Sequence, residues 1–565
     1  MMSTIIGIDL GTSTTEAAVI QAGEPIMVTN DRQQVVIPSV VGIDKNGKFV
    51  TGEDAKAQFL LEPQNTAIEI KRSMGTDEKI CLGNKAYTPE ELSAVLLKYV
   101  KKYVSEYLGE EIDRAVISVP AYFDDLQRQA TVEAGRLAGF KVERIINEPT
   151  AAALGYGLGH MDEESHILVY DLGGGTFDVT LLEMFGGVLE VKASSGDNML
   201  GGKDFDERII DWMLRQFKGK YGINLRKDVY AMVKLKEKAE WCKKELSTQP
   251  SCHIVIPFIA EKNGEPLAFD ETLTVGQFEE MISDLIARTH HPIDVVLADS
   301  GVMASEIDQV LLVGGSTRIP IVQSDIEDYL GITPSLAVNP DYAVAEGAAV
   351  QAGILSGSIR SEDSLVMTDV NPYTLGVRIC DGFTDDCMSV VIPRNVTIPV
   401  VRKEIYTTAG DGQVSARIEV YQGESQVATS NHFLGEFMIH GIPPRKAREE
   451  QVEVQFSYDL NGMLEVSAVI VSTGAKASIE INMLKEQEEE QRIDVSGWKE
   501  APGADRFRAV IRKAERILKK QGTDDLAFYY EDLEECVYLL KKALIENDMD
   551  AAGEMEEELL DLLEE

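Results

Sequence analysis

The chain has 565 residues, 44% of them apolar, and a net charge of −41. That length predicts several domains, and that charge argues against nucleic acid or an anionic membrane as partner, because both require basic surface. Six cysteines (81, 242, 252, 380, 387 and 536) lack CxxC spacing, which suggests reduced thiols in a cytosol rather than a disulfide frame or a zinc site.

The opening stretch MMSTIIGIDLG has no basic segment ahead of its apolar residues, so no signal peptide is expected. No apolar run approaches the roughly 18 residues of a spanning helix, and a cytoplasmic protein is the default. Residues 5–20, IIGIDLGTSTTEAAVI, read as strand, hydroxyl-rich turn and strand. Residues 167–182, ILVYDLGGGTFDVTLL, repeat that pattern with three glycines and with Asp171 and Asp178 on either side. A hairpin alone would explain Gly and Asp at such a turn. The sharper alternative is a Mg-nucleotide site. A Gly-rich turn lets an anion approach backbone N–H groups, and nearby carboxylates require a cation between them and phosphate. Two such hairpins suggest two similar subdomains facing one cleft.

Helical patterns follow at 124–140 and 202–222, and a third Gly-rich turn follows a strand in VLLVGGSTRIP, 310–320. Mixed strands and helices to about residue 360 indicate an α/β region. GDNMLGGKD (196–204) lacks Walker spacing, and GYGLG (155–159) lacks the dinucleotide spacing. A linker is expected at 361–372. Alternating strands fill 373–482, with DLNG as a hairpin turn. Beyond 484 the chain reads as helical and charged. Its basic amphipathic stretch FRAVIRKAERILKKQ suits a lid or helical hairpin, with a membrane-surface helix as the weaker alternative. The histidines, including His290 and His291, show no ligand spacing.

The motifs GIDLGTSTT (7–15), VPAYF (119–123), IINEPTAAALGYGL (145–158), VYDLGGGTFDV (169–179), LGGKDFD (200–206), VLLVGGSTRIP (310–320) and VNPDYAVAEGAAVQAG (338–353) occur in an order that resembles the seventy-kilodalton heat-shock chaperones. The likeness is to the DnaK-like group and its short bacterial form with a reduced lid. The resemblance implies a multidomain protein. Residues 1–360 would form an α/β, actin/hexokinase-like two-lobed ATPase domain. Residues 361–372 would link it to an antiparallel β-sandwich peptide-binding domain at 373–482, with a short helical lid and acidic tail at 483–565.

Carried over residue by residue, the resemblance implies phosphate donors at Gly11, Thr12, Ser13 and Thr14 and at Gly173, Gly174, Gly175 and Thr176. Gly201 and Gly202 join the nucleotide positions. Asp9, Asp171 and Asp178 would orient Mg2+, its waters and K+. Lys71 and Glu148 would position the attacking water, with Asp171 favoured as base among several crowded carboxylates. Thr176 matches a self-phosphorylating position. Adenosine would lie between Gly314, Gly315, Ser316, Arg318 and Asp341 on one side and Glu240, Lys243 and Ser247 on the other. Pro120 and Arg128 match a nucleotide-state switch. Arg144 and Asp369 match the contact between lobe, linker and J-domain co-chaperone. Val377, Cys380, Tyr406, Ala409, Ala416 and Ile418 match the pocket for unfolded polypeptide clients, where an extended peptide would be held by main-chain hydrogen bonds. A nucleotide-exchange factor is also implied.

This sequence departs from the family at Lys203, where Glu is usual, and at Thr368, where an apolar linker residue is usual. It also has a short span from Lys71 to Pro120 and altered pocket residues at 380, 406 and 416. A small-molecule kinase or an actin-like filament protein would share the two-lobed class, but neither needs residues 373–565.

Overall fold

The computed structural model describes residues 4–160, 163–335, 337–359, 366–380, 384–480, 498–499 and 503–518, with further single residues between 536 and 560. It forms two compact units, Met1–Leu484 and Lys485–Glu565. Among the described residues no helix is long and apolar enough to cross a membrane.

Both hairpins form as the alternation predicts. Ile5–Leu10 pairs antiparallel with Thr14–Gln21. On its other side it pairs parallel with Arg114–Val119, which pairs parallel with Lys141–Asn147. The helices Pro89–Leu108 and Asp125–Leu137 cover this first sheet. Each begins with a reciprocal capping box, Thr88 with Glu91 and Asp124 with Gln127, which satisfies two otherwise orphaned amides. Their apolar stripes (Leu92, Leu97, Val100, Ala130, Ala134) join Ile8 and Ile117 in one core.

The second sheet is built on Ser165–Leu172 and Phe177–Phe185, again antiparallel, with Gln309–Val313 parallel at one side. Leu168, Tyr170, Phe205, Ile209 and Phe217 bury the helix Gly202–Tyr221 against it. The two lobes meet through small residues. The helices Glu148–Gly157 and Ala343–Ser356 cross so closely that a Cβ on Gly347 would lie 1.7 Å from the Ala151 carbonyl oxygen, and one on Gly7 would lie 2.1 Å from the Ala349 nitrogen. Only glycine fits at these two positions, and the crossing forms the rigid floor from which the lobes rise.

Residues from 375 onward form two four-stranded antiparallel sheets, with Val377, Val420 and Leu434 of one facing Val454, Phe456 and Val466 of the other in a shared core. The Gln451–Tyr458 strand alternates buried and less buried residues along its length, as a one-faced strand must. The expected DLNG turn is closed by Asp459, whose carboxylate accepts from the amides of Asn461 and Met463 at 2.8 and 2.9 Å. The expected linker is partly a strand. Val366–Val370 lies parallel to the edge residues Val188–Glu190 of the second lobe and pairs antiparallel with Thr397–Ile398 on its far side. Residues 360–365, and with them Leu365, lie outside the described residues.

In the second unit the helix Ala504–Leu518 turns Phe507, Ile511 and Ala514 into a core with Val537, Leu540 and Leu544. These three residues are therefore packed within the unit. Most of the expected acidic tail lies outside the described residues. His290 bonds Asp325 at 2.7 Å and stacks on Tyr329, a structural role.

Candidate functional site

The two hairpins face each other across a cleft of about 680 Å3. Gly174 packs against Ser13 and Gly175 against Thr12, and a Cβ on either would come within 2.3 to 2.9 Å of these side chains. The glycine run is thus what lets one lobe's hairpin approach the other's. Behind it, the Gly173 and Gly174 carbonyls accept from the amides of Gly202 and Lys203 at 3.0 and 2.9 Å. Ser316 donates to the Gly173 carbonyl at 2.8 Å, and Arg72 to the Gly175 carbonyl at 3.0 Å. One expectation needs correcting. The Gly173 amide is already engaged with the Thr176 carbonyl at 3.1 Å, so it closes the turn rather than offering a donor.

Residues 9, 11–14, 71, 148, 171, 173, 174, 176, 240, 243, 247, 314–316, 318 and 341 all line this one cleft. Gly175, Gly201, Gly202 and Asp178 stand just behind the wall. Gly201 lies against the backbone of Gly174 and Gly175, and a Cβ there would sit 2.5 Å from the Gly175 nitrogen. At the far end Arg318 pairs with Asp341 at 2.6 Å. Lys243 bonds Asp206 at 2.9 Å and the Gly202 carbonyl at 2.8 Å.

Strand register places Asp9 directly opposite Glu16 and Asp171 directly opposite Asp178. Like charges in such positions repel, yet Glu16, Asp171 and Asp178 are buried and Asp9 is half-buried. Burial, then Glu148, pushes Asp9 up to about 7, and the same two causes bring Asp178 to about 7. Asp171 is raised by burial, then by Glu148, Asp178 and Asp9. Glu16 is raised by burial and then by Asp9. Lys71, buried and paired with Glu148, is a cation set amid these groups, and it also lies 5.6 Å from the Phe123 ring centroid. Asp9 accepts from Ser118 at 2.8 Å and Asp178 from the Tyr122 amide at 2.9 Å, while Asp178 Oδ2 is buried with no partner. Among the described residues no three His, Cys, Asp or Glu side chains converge to hold a metal by themselves. A negative surplus beside a hydroxyl-lined anion cradle fits a hydrated divalent cation that arrives together with phosphate. Elsewhere along the cleft wall Glu240 falls to about 2. Burial pushes it up, but Lys244, Lys56 and Lys203 outweigh that.

Arg128, Asn147 and Asp369 form a separate buried network. Arg128 donates to the Ala121 carbonyl at 2.9 Å and to Asn147 Oδ1 at 2.7 Å. Asn147 in turn donates to Asp369 on the linker strand at 2.9 Å, and Thr150 adds a bond to the same carboxylate. Gly462 of the β region packs on the Arg128 side chain, and Asn461 accepts from the Ile145 amide at 3.1 Å. Arg144 reaches Gln351 at 3.1 Å, and the Pro120 carbonyl accepts from the Phe123 amide. Asp369 is 6% exposed, so here its carboxylate faces Asn147 rather than the surface. Tyr373 also bridges the two regions, donating to the Tyr122 carbonyl at 2.8 Å.

Within the linker strand the Thr368 hydroxyl is enclosed without a hydrogen-bond partner, which costs about 1–3 kcal/mol. Thr368→Val, nearly the same shape, is expected to hold the strand more firmly. Limited proteolysis at 360–370 in the presence of MgATP should slow by about fivefold or more, and unchanged cleavage would show that the hydroxyl does not weaken docking.

The six expected peptide positions are only partly assembled. Val377 and Ile418 are buried in the sandwich core, and Tyr406 and Ala416 pack at its margin. Tyr406 bonds Ser389 at 2.9 Å. Cys380 and Ala409 are exposed and stand apart from that core.

Sequence reading did not single out Glu16, Asp206 or Asn147. Glu16 had a signal, because Asp9 to Glu16 and Asp171 to Asp178 have the same seven-residue spacing in the two repeats. Asn147 had none, since its partners at 128 and 369 meet it only in the fold.

A cleft between two lobes, each offering a Gly- or hydroxyl-rich hairpin with paired carboxylates, belongs to the class of sites that hold a polyanion together with a cation. The Hsp70 protein family model matches residues 5–82 and 77–564. The chain belongs to the Hsp70 family, whose members are ATPases with a chaperone function.

Proposed function

We propose that this protein is an ATP-dependent molecular chaperone of the cytoplasm. In this reading residues 1–360 hydrolyse ATP, 361–372 relay the nucleotide state, 373–482 hold an extended apolar client segment, and 483–565 form a short lid. The observation that carries it is the pair of opposed carboxylate couples at one cleft between two Gly- or hydroxyl-rich turns: Asp9 with Glu16, and Asp171 with Asp178, the last just behind the cleft wall.

Phosphoryl transfer needs positioning and charge neutralisation more than covalent chemistry. Mg2+ bound with ATP would supply positive charge beside Asp9, Asp171 and Asp178, with K+ as a companion. Thr12, Ser13, Thr14 and Thr176 would orient the phosphates. Lys71, fixed by Glu148, would hold the attacking water, and Asp171 would accept the proton. Glu240, Lys243, Ser247, Arg318 and Asp341 would frame the nucleoside.

The docked linker strand supports coupling. A ligand shifts an equilibrium only through its differential affinity for the two states, and the Arg128–Asn147–Asp369 chain joins the lobes to the β region directly. ATP would favour this docked arrangement with fast client exchange. Hydrolysis would free the linker and slow release. A J-domain protein and an exchange factor would set the rates. Weak basal ATP turnover, stimulated by an unstructured apolar peptide, is the expected result of a steady-state phosphate-release assay. Peptide-insensitive turnover with phosphorylation of a small molecule would favour a kinase instead.

A further inference from the structure

Beside the phosphate hairpins lies a smaller cavity of about 250 Å3, walled by Glu69 and Arg72 of the first lobe and by Lys203 and Lys236 of the second. Glu69 has φ 59° and ψ 26°, a left-handed conformation uncommon for a residue other than glycine. It caps the single turn Ile70–Ser73, which contains Lys71. Strain of this kind persists only where the surroundings enforce it.

The side chain of Glu69 is met from across the cleft. The Glu69 carboxylate faces Lys203 Nζ at 3.9 Å and Lys236 Nζ at 4.0 Å, both on helices of the second lobe. Arg72, in the same turn, reaches Asp204 at 2.7 Å and the Gly175 carbonyl at 3.0 Å. The turn that presents Lys71 is therefore held by the second lobe at its cap and again one residue beyond Lys71. Lys203 is also where this sequence departs from the usual Glu, and a carboxylate there would repel Glu69.

We infer that Glu69 is a positioning residue: its pairing with Lys203 and Lys236 couples closure of the lobes to the placement of Lys71, and the same pairing slows nucleotide escape. This rests on the ATP-hydrolysis reading above. With the lobes closed, the two lysines pull the cap into its strained conformation and seat Lys71. With them apart, the turn relaxes and the ammonium group moves off its hydrolytic position.

Glu69→Gln keeps the side-chain length and removes the charge. It is compared with Lys203→Gln/Lys236→Gln and with the triple variant. Stopped-flow release of a fluorescent ADP analogue and single-turnover ATP hydrolysis are the readouts. Glu69→Gln is expected to release ADP about three- to fivefold faster and to hydrolyse about two- to threefold slower, as suits a half-buried pair. The lysine pair should match it, and the triple variant should be no worse than either, because the cycle closes only if the groups act on each other. Wild-type release and hydrolysis in Glu69→Gln would overturn the inference, with or without a lowered melting temperature, and so would additive losses in the triple variant. A wild-type protein that fails to bind or hydrolyse ATP would instead overturn the proposed function itself.

Discussion

Lys71→Ala is expected to slow hydrolysis of bound ATP in a single turnover by about 10²- to 10³-fold, the usual cost of removing one preorganised charge from a water-excluding site. Lys71 is 7% exposed, is paired with Glu148 and interacts electrostatically with Asp9, Glu16, Asp171 and Asp178. Without it those carboxylates lose an ammonium that offsets their charge, and the water loses the group expected to orient it. Nucleotide binding should be weakened far less, since the hairpins, Arg318 and Lys243 remain. Equilibrium titration with labelled ATP, run beside rapid-quench hydrolysis, separates the two effects. A Lys71→Ala protein that hydrolyses at the wild-type rate would refute the assignment of the site.

Arg128→Ala is expected to release the β region from the lobes. The guanidinium makes four connections at once: three hydrogen bonds, to the carbonyls of Ala121 and Phe123 and to Asn147, and the packing surface under Gly462. Its removal leaves buried acceptors unpaired, at about 1–3 kcal/mol each, and loosens the side chain that fixes Asp369. Docking should weaken by about tenfold or more. Small-angle scattering with MgATP should then report a more extended particle than the wild type, and peptide should no longer stimulate ATP turnover. Melting of the variant checks that the fold survives. Wild-type compactness with intact stimulation would show that this network does not carry the coupling.

Much of the cleft is legible in the sequence because its chemistry is local. A hairpin whose turn must be glycine to approach a partner, and whose stems carry carboxylates, looks the same on the page and in space. Asp171 and Asp178 face each other because strand register dictates it, and Thr12 to Thr14 line the cleft because a short turn leaves them nowhere else to point. What stayed hidden depends on residues far apart. Gly347 and Ala151 meet some two hundred positions apart, and nothing in either helix alone announces a backbone contact. Asn147 reads as an ordinary strand-end amide until Arg128 and Asp369 close on it. The β region is legible in a different way. The resemblance matches Val377 and Ile418 to a peptide pocket, here they lie in the sandwich core, and period-two patterning cannot tell a core from a groove.

The hairpins and the rim of the neighbouring cavity differ in what they admit. The hairpins tolerate only small residues and hydroxyls, whereas the rim at Glu69, Lys203 and Lys236 is half exposed and can exchange its charges while keeping a clasp.

The central claim is that the state of the nucleotide sets how tightly a distant groove grips an extended chain. It is tested most directly by the dissociation rate of a fluorescent, unstructured apolar peptide, followed by anisotropy after competitor is added, with saturating MgATP and then with MgADP. Release about tenfold or more faster with ATP is predicted, within the usual range of coupling between two sites. Identical release in the two nucleotides would contradict the account.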